Sequence, residues 1–273
     1  MTVLVTGGRG SVARHLVTLL RERGLDVRAA SSAPTDPSIV KCDLTDPATF
    51  PAALAGVTSV FLYAEASGAE AFAKEAVAAG VEHVVLLSSS AVLAPDAETN
   101  LLARSHLDVE KILKASPLRV TVLRPGTFAG NARAWSWPIR SGAPVSLPFP
   151  GAHNDPLHEA DLAEAALAVL TDPGLGGRTY TLTGPRSMTA AEQIDILARV
   201  TGRAVEIRRV TREEWKREMA EYISDGYAEA LLNWMEYSDG RPMEILPTVE
   251  ELTGHPARTF EQWAEEHRQD FTS

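Results

Sequence analysis

Cysteine is almost missing from this chain: Cys42 is the only one in 273 residues. That excludes an intrachain disulfide and a zinc site built on cysteine pairs, and it fits a reducing, cytoplasmic compartment. Long apolar runs are missing too. No stretch approaches the roughly 20 residues that span a bilayer, and Val3-Leu4-Val5 runs into glycines rather than into the hydrophobic region of a secretory signal. The expectation is a cytoplasmic protein with no membrane partner. Positive charge is in deficit, with 26 Lys and Arg against 36 Asp and Glu and a formal net charge of −10. Without a clustered basic surface, nucleic acid is excluded as a direct partner. Tyrosine is scarce, Tyr63 being the only one in the first 179 residues. What remains is an ordinary globular composition, 45% hydrophobic and 23% charged, able to bury a core. The acidic excess is local: residues 203–273 carry 16 acidic and 9 basic side chains, against 20 and 17 in residues 1–202.

The N-terminal half alternates short β-branched runs with longer helical patterns, the signature of βαβ units and a parallel sheet. Strands are predicted at Val3–Val5, Asp26–Ser31, Ile39–Cys42, Val57–Tyr63, His83–Leu87 and Leu118–Leu123. Val12, Leu16, Leu19 and Leu20 recur at helical spacing until Gly24. Asp46-Pro47 opens a short helix, Gly68 to Ala79 forms another, and a third runs from about Asn100 to Lys114. From Arg124 to Pro156 six prolines, with Trp135 and Trp137 among them, predict a long irregular functional loop. Helix over Asp161–Leu170, strand over Arg178–Leu182, helix over Thr189–Val200, strand over Ala204–Arg208 and a mainly helical remainder complete the reading. The fold class is α/β: a Rossmann-like doubly wound parallel sheet with a smaller, mainly helical C-terminal part. Residues 1–125 form the region of strand and helix alternation, and residues 126–273 a second, mainly helical region partly interleaved with it, with no Gly/Ser linker between them.

Thr6-Gly7-Gly8-Arg9-Gly10-Ser11-Val12-Ala13 lies between the first strand and the first helix. In that position Gly7 permits a tight turn, Gly10 lets backbone approach a pyrophosphate, and Ala13 is small enough for helix-to-sheet packing. The helix N-terminus then offers unpaired N–H groups and its positive dipole end to phosphates. The adenosine ribose is read at the end of the second strand, where NAD-dependent proteins carry a carboxylate. This chain has Ala29-Ala30-Ser31-Ser32 there. Nothing repels a 2′-phosphate, Ser31 and Ser32 can donate to one, and Arg9 can lie over it, so NADP(H) is preferred while NAD(H) stays possible. Arg28, two positions earlier on the strand, faces either way.

Several stretches together resemble the NmrA-like branch of the atypical short-chain dehydrogenases/reductases over nearly the whole chain. They are Thr6 to Gly10, Cys42-Asp43-Leu44-Thr45-Asp46, Val84 to Ser90, His106 to Glu110, Leu123 to Phe128 with Asn131, His158 to Ala163, Arg178 to Gly184, and Arg258-Thr259-Phe260-Glu261. The resemblance implies Asp43 and Leu44 at the adenine, Ala64 and Glu65 beside the cofactor, and Ser88, Ser89 and Ser90 at the nicotinamide, with Pro125 close by. Residue by residue there is a plainer reading too: Asp43 as a turn cap, the serines as partners of backbone groups. His158 belongs to the start of the following helix, with Asp161 a capping or early-turn residue, while its neighbourhood approaches the pocket.

The chain departs from that family in its catalytic pair. Short-chain reductases place a Tyr and a Lys four apart on the helix after the fifth strand. Counted back from Glu110, those positions are Leu102 and His106. The usual phenol and ammonium are therefore missing. Ser90 and His106 are the remaining candidates for donating a proton or anchoring the nicotinamide ribose. Phe128, Trp135, Trp137 and His158 are the candidate substrate-pocket residues, aromatic surfaces suiting flat apolar ligands. No metal site is expected. The expected activity is NAD(P)H-dependent reduction of a small or medium conjugated electrophile such as a quinone, enone or imine. The missing pair leaves two alternatives, an NADP(H)-sensing protein that binds a protein partner and a non-redox cyclase or isomerase on the same fold. The oligomeric state, monomer or homodimer, is open.

Overall fold

Short apolar strands that alternate with amphipathic helices can hide both faces only by stacking side by side with helices on each side. The computed structural model, which describes residues 1–272, is built that way; Ser273, the last residue of the expected C-terminal region, lies outside the described residues. Along the chain come β1 (Thr2–Val5), α1 (Ser11–Glu22), β2 (Asp26–Ser31), β3 (Val40–Lys41), α2 (Phe50–Leu54), β4 (Ser59–Tyr63) and α3 (Ala69–Ala78). Then follow β5 (His83–Leu87), α4 (Arg104–Ala115), β6 (Arg119–Pro125), α5 (Ser136–Ser141), β7 (Val145–Leu147), β8 (His153–Asn154), α6 (Glu159–Thr171) and β9 (Thr179–Leu182). The C-terminal part adds β10 (Met188–Thr189), α7 (Ala190–Thr201), β11 (Ile207–Arg209), α8 (Arg212–Met219), α9 (Asp225–Ser238), α10 (Thr248–Thr253) and α11 (Phe260–Glu266).

Seven strands form one parallel sheet in the order β3-β2-β1-β4-β5-β6-β9. The order reverses between β1 and β4, and ligands of such sheets bind in the crevice beyond the strand ends at that point. β5 is buried at all five positions, as a strand covered on both faces must be. On one face α1 and α6 pack together through Val12, Leu16, Leu20, Leu162, Ala166 and Val169. On the other, Phe50, Leu54, Phe72, Val109 and Leu113 close the core. β9, from the second half of the chain, completes this sheet, and α6 packs on its face beside α1. The C-terminal part has its own core around Trp263, Phe260, Ile194 and Leu197. It is clamped to α6 by Arg258, whose backbone N–H donates to Asp161 Oδ2 (2.7 Å) and whose guanidinium reaches Asp161 Oδ1 and Glu164 Oε1 (2.7 Å).

Two expectations need correction. The segment from Arg124 to Pro156 is not irregular throughout, since it holds a 3-10 run at Ala129–Trp135, then α5, β7 and β8, with Pro144 and Pro148 flanking β7. Prolines there punctuate short elements rather than prevent them. α4 begins at Arg104 instead of near Asn100, because the Asn100 side-chain oxygen accepts from Leu102 N–H (2.9 Å) and holds a turn that competes with helix.

Candidate active site

The loop after β1 is shaped by Tyr63 at the end of β4. Gly7 has φ +64°, and a Cβ there would come within 2.7 Å of the Tyr63 ring; one on Gly10 would sit 2.9 Å from the Tyr63 hydroxyl. At Gly7 only glycine accepts both the left-handed backbone and that closeness, and at Gly10 the closeness alone excludes a side chain. Gly8 N–H donates to Ala30 O (2.8 Å), pinning the loop to the end of β2, and Gly10 N–H closes the turn on Gly7 O (2.7 Å). The first bond of α1 runs from Arg14 N–H to Gly10 O (3.0 Å), which leaves the amides of Ser11, Val12 and Ala13 ahead of it. The Ala13 amide points at the Tyr63 hydroxyl oxygen, and burial pushes that phenol up to about 12, so it stays protonated. Among the described residues the Ser11 and Val12 amides donate to no other group of the chain, and they stand at the positive end of α1.

The Gly8–Ala30 bond brings Arg9 and Ser32, both exposed, to one rim. Ser31 is buried, and its hydroxyl accepts from Ala33 N–H (3.4 Å). Arg28 turns away, donating to the carbonyls of Ala53 (2.7 Å) and Ala55 (3.0 Å). Beyond β3, Asp43 Oδ1 accepts from the Thr45 N–H (3.0 Å) and hydroxyl (2.8 Å), which hold the carboxyl below its ordinary range. Leu44 is half-buried against the core, and its carbonyl lies so close to Gly68 that no side chain fits there. Ala64 and Glu65 follow β4, with Glu65 Oε1 accepting from the Ser67 N–H (3.0 Å) and hydroxyl (2.7 Å).

The serines that end β5 do different work. Ser88 is turned into the protein, donating to Glu110 Oε1 (2.7 Å), so its hydroxyl does not face a ligand. Ser89 caps the 3-10 turn Ser90–Leu93 by accepting from Ala91 N–H (3.2 Å). Ser90 opens that turn, which packs against α4. His106 lies on α4 with its Nδ1 buried and without a hydrogen-bond partner; burial lowers its pKa against the opposing pull of Glu110, so the ring is neutral near pH 7. Leu102, the expected tyrosine position, lies in the turn before the helix. β6 ends at the buried Pro125.

Sequence reasoning missed Asp155. It follows β8, its Oδ1 accepts from Thr127 N–H (3.0 Å), and its carboxylate lies against Gly126, beside the end of β6. Burial pushes its pKa up to about 6, the backbone bond from Thr127 only partly opposing it. A lone carboxylate between Asn154 and Pro156 carried no pattern that marked it.

The expected pocket residues separate. Phe128 is half-buried and bridges to Leu157 against the sheet core. His158 is 1% exposed; its Nδ1 accepts from Ala160 N–H (3.1 Å) as the cap of α6 and its Nε2 meets Glu266 (3.2 Å), so it serves packing and capping rather than an open pocket. Trp135 packs on the C-terminal core, and Trp137 points outward at 65% exposure from α5, which rests on the 3-10 turn Arg268–Phe271.

Two free amides at a helix N-terminus, a glycine cradle with no room for Cβ atoms, and a rim without a carboxylate at the end of β2 fit a nicotinamide dinucleotide. A family profile described as NAD(P)H-binding matches residues 7–173. The chain is 35% identical to a (4-alkanoyl-5-oxo-2,5-dihydrofuran-3-yl)methyl phosphate reductase of Streptomyces griseus, covering 98% of this chain and 99% of the relative. It is 30% identical to an NAD(P)H azoreductase of Xenophilus azovorans, over 98% and 99% of the two chains. Among solved structures, an NADPH-dependent quinone oxidoreductase of Escherichia coli in complex with NADPH superposes with a TM-score of 0.81 at 22% identity, covering 97% of this chain and 99% of that one. The chain therefore belongs to the NAD(P)H-binding family, as an NAD(P)H-dependent reductase of the atypical short-chain dehydrogenase/reductase type.

Proposed function

We propose that the protein reduces a small or medium conjugated electrophile, such as an enone, quinone or imine, with NADPH preferred over NADH. The observation that carries this reading is at α4, where a leucine in a turn and a neutral histidine stand in place of a phenol and an ammonium. Such a site has no strong acid to offer, so its acceptor must need none. The substrate in the name of the S. griseus relative meets that demand. One carbon of its ring C=C carries both carbonyl groups. Hydride added at the far carbon leaves the electron pair on a carbon between those carbonyls, an enolate stable enough to take its proton from solvent.

Bound NADPH supplies the hydride. The amides of Ser11 and Val12, with Gly7, Gly8 and Gly10, hold the diphosphate; Arg9, Ser31 and Ser32 take the 2′-phosphate; Asp43 and Leu44 edge the adenine. Ala64, Glu65, Ser89 and Pro125 border the cofactor along the strand ends, Ser90 orients the nicotinamide, and the neutral His106 ring, whose buried Nδ1 has no partner within the protein, hydrogen-bonds a ribose hydroxyl. NADPH absorbance followed against a panel of enones, quinones and imines tests the activity, and binding without oxidation by any acceptor would overturn it. For the cofactor preference, NADPH is expected to bind at least tenfold more tightly than NADH, with Arg9→Ala removing most of the difference; equal affinities in the parent protein would sink the 2′-phosphate assignment.

A further inference from the structure

α9 exposes aromatic side chains that its own packing does not use. Ala228, Leu232 and Met235 seat the helix against Trp215 and Phe149. At 100° per residue the opposite stripe is Gly226, Ala230, Trp234 and Tyr237, with Tyr227 at its edge. Tyr227, Trp234 and Tyr237 are 42%, 38% and 59% exposed. Trp234 and Tyr237 lie 6.0 Å apart at 33°, making one shallow aromatic surface. At its end the Arg241 guanidinium sits over the Tyr237 ring, 5.0 Å from the centroid, and among the described residues it pairs with no carboxylate. The nearby Glu236 is occupied by Arg212 (2.6 Å).

The placement of this stripe gives it meaning. At its start Gly226 lies against Leu101, in the segment that leads from Ser88–Ser90 at the end of β5 to α4. At its end Gly240 N–H donates to Gly151 O (2.9 Å) and Asp239 bridges Ala152, on the segment that continues through β8 to Asp155 and so to Thr127 beyond β6. α9 thus spans the ground beyond the C-terminal ends of β5 and β6. A flat conjugated ring in front of a nicotinamide there meets indole and phenol faces, and beyond them a cation.

We infer that Trp234, Tyr237 and Arg241 form the substrate-recognition surface: the aromatic pair stacks on the planar conjugated part, and Arg241 binds an oxyanion substituent on it. This rests on the reductase reading above. Cation and aromatic ring act together, since a guanidinium held over a phenol is pre-oriented for a bidentate oxyanion.

The test compares a 4-acyl butenolide methyl phosphate, its dephosphorylated alcohol and an uncharged quinone as acceptors. The wild type is expected to favour the phosphate over the alcohol in kcat/KM. Arg241→Gln should raise KM for the phosphate by roughly tenfold or more, the loss of one charge-assisted contact, with kcat and the KM of the alcohol little changed. Arg241→Lys should restore part of it. Trp234→Ala should raise KM for phosphate and alcohol alike, several-fold. Thermal melting of each variant checks that the fold is kept. If Arg241→Gln shifts both compounds equally or neither, or if the wild type turns over the quinone with no preference for the phosphate, the anion assignment fails while the reductase reading stands. If Trp234→Ala leaves KM unchanged and instead turns a dimer into monomers on gel filtration, the face joins two copies and the inference fails. No turnover of any acceptor would overturn the reductase reading itself.

Discussion

Arg124 holds Glu110 in a fork, Nε to Oε1 at 2.9 Å and Nη2 to Oε2 at 2.6 Å. Lys114 (2.8 Å) and Ser88 (2.7 Å) fill the remaining acceptor sites of a carboxylate that is 1% exposed. The network ties the ends of β5 and β6 to α4 beneath the site. Burial alone would push the Glu110 carboxyl up, but hydrogen bonds from Arg124, Lys114 and Ser88 outweigh it and hold it down to about 2. Glu110→Gln keeps the shape and removes the charge, so a loss of about 3 kcal/mol is expected at neutral pH. Since the folded-state pKa is depressed, the wild-type advantage is present above the unfolded value near 4 and is lost toward pH 2. Denaturant titrations of parent and variant at neutral pH and near pH 3 measure it, and the gap should narrow at the lower pH. Ser88→Ala in turn should cost about 1 kcal/mol and leave NADPH affinity unchanged, because its hydroxyl faces Glu110.

Gly7 and Tyr63 constrain one another. Gly7→Ala adds a methyl where the ring is 2.7 Å away, at φ +64°. The loop must then move, and with it the Ser11 and Val12 amides. NADPH affinity measured by fluorescence titration should fall more than tenfold while the protein stays folded. In Gly7→Ala/Tyr63→Ala the clash is relieved but the left-handed backbone is still strained, so recovery should be partial. Full recovery would show that only crowding had made glycine necessary.

The Rossmann half was legible because each of its signals is local. Asp26–Ser31 and His83–Leu87 appear with the expected bounds; in His83–Leu87, burial at every position forces a nearly continuous apolar run. The glycine loop was legible because its function needs particular residues at fixed spacing. The pocket was not. Trp135 and Trp137 stand out in sequence among prolines, yet one packs on the C-terminal core and the other faces solvent, whereas Trp234 and Tyr237 look like ordinary helix residues until their helix is placed across the strand ends. Side-chain direction set by tertiary packing leaves no trace in composition. His158 caps the following helix, as its position suggested, but the inward turn of Ser88 and the pairing of His158 with Glu266 were hidden for the same reason, their partners lying 22 and 108 residues away.

His106 offers a neutral ring with an unpartnered buried Nδ1. A group of that kind binds a hydroxyl but does not act as an acid at neutral pH. His106→Ala should therefore raise the NADPH dissociation constant by about tenfold, the loss of one or two hydrogen bonds, with the pH profile of kcat unmoved. His106→Asn, which retains donor and acceptor, should recover part of the affinity. A pH limb near neutrality that disappears in His106→Ala would instead make the imidazole a proton donor.

Asp155 carries the opposite shift from Glu110. Burial beside Gly126 raises its pKa to about 6, and among the described residues no cation pairs with it. The unfolded chain releases this proton near 4, whereas the folded chain keeps it to about 6. Between those limits the native state binds more protons, so this group's contribution falls as pH rises through the window and is level above it. A difference of about 2 units corresponds to about 3 kcal/mol. Asp155→Asn retains an oxygen to accept from Thr127 N–H and removes the titration. Relative to the wild type, the variant should gain up to about 3 kcal/mol between pH of about 4 and about 7, the other carboxylates cancelling in the difference. Urea unfolding of both proteins across that range reads the gain directly. Parallel curves would mean that water reaches the carboxyl freely and that its burial beside the end of β6 is not maintained in solution.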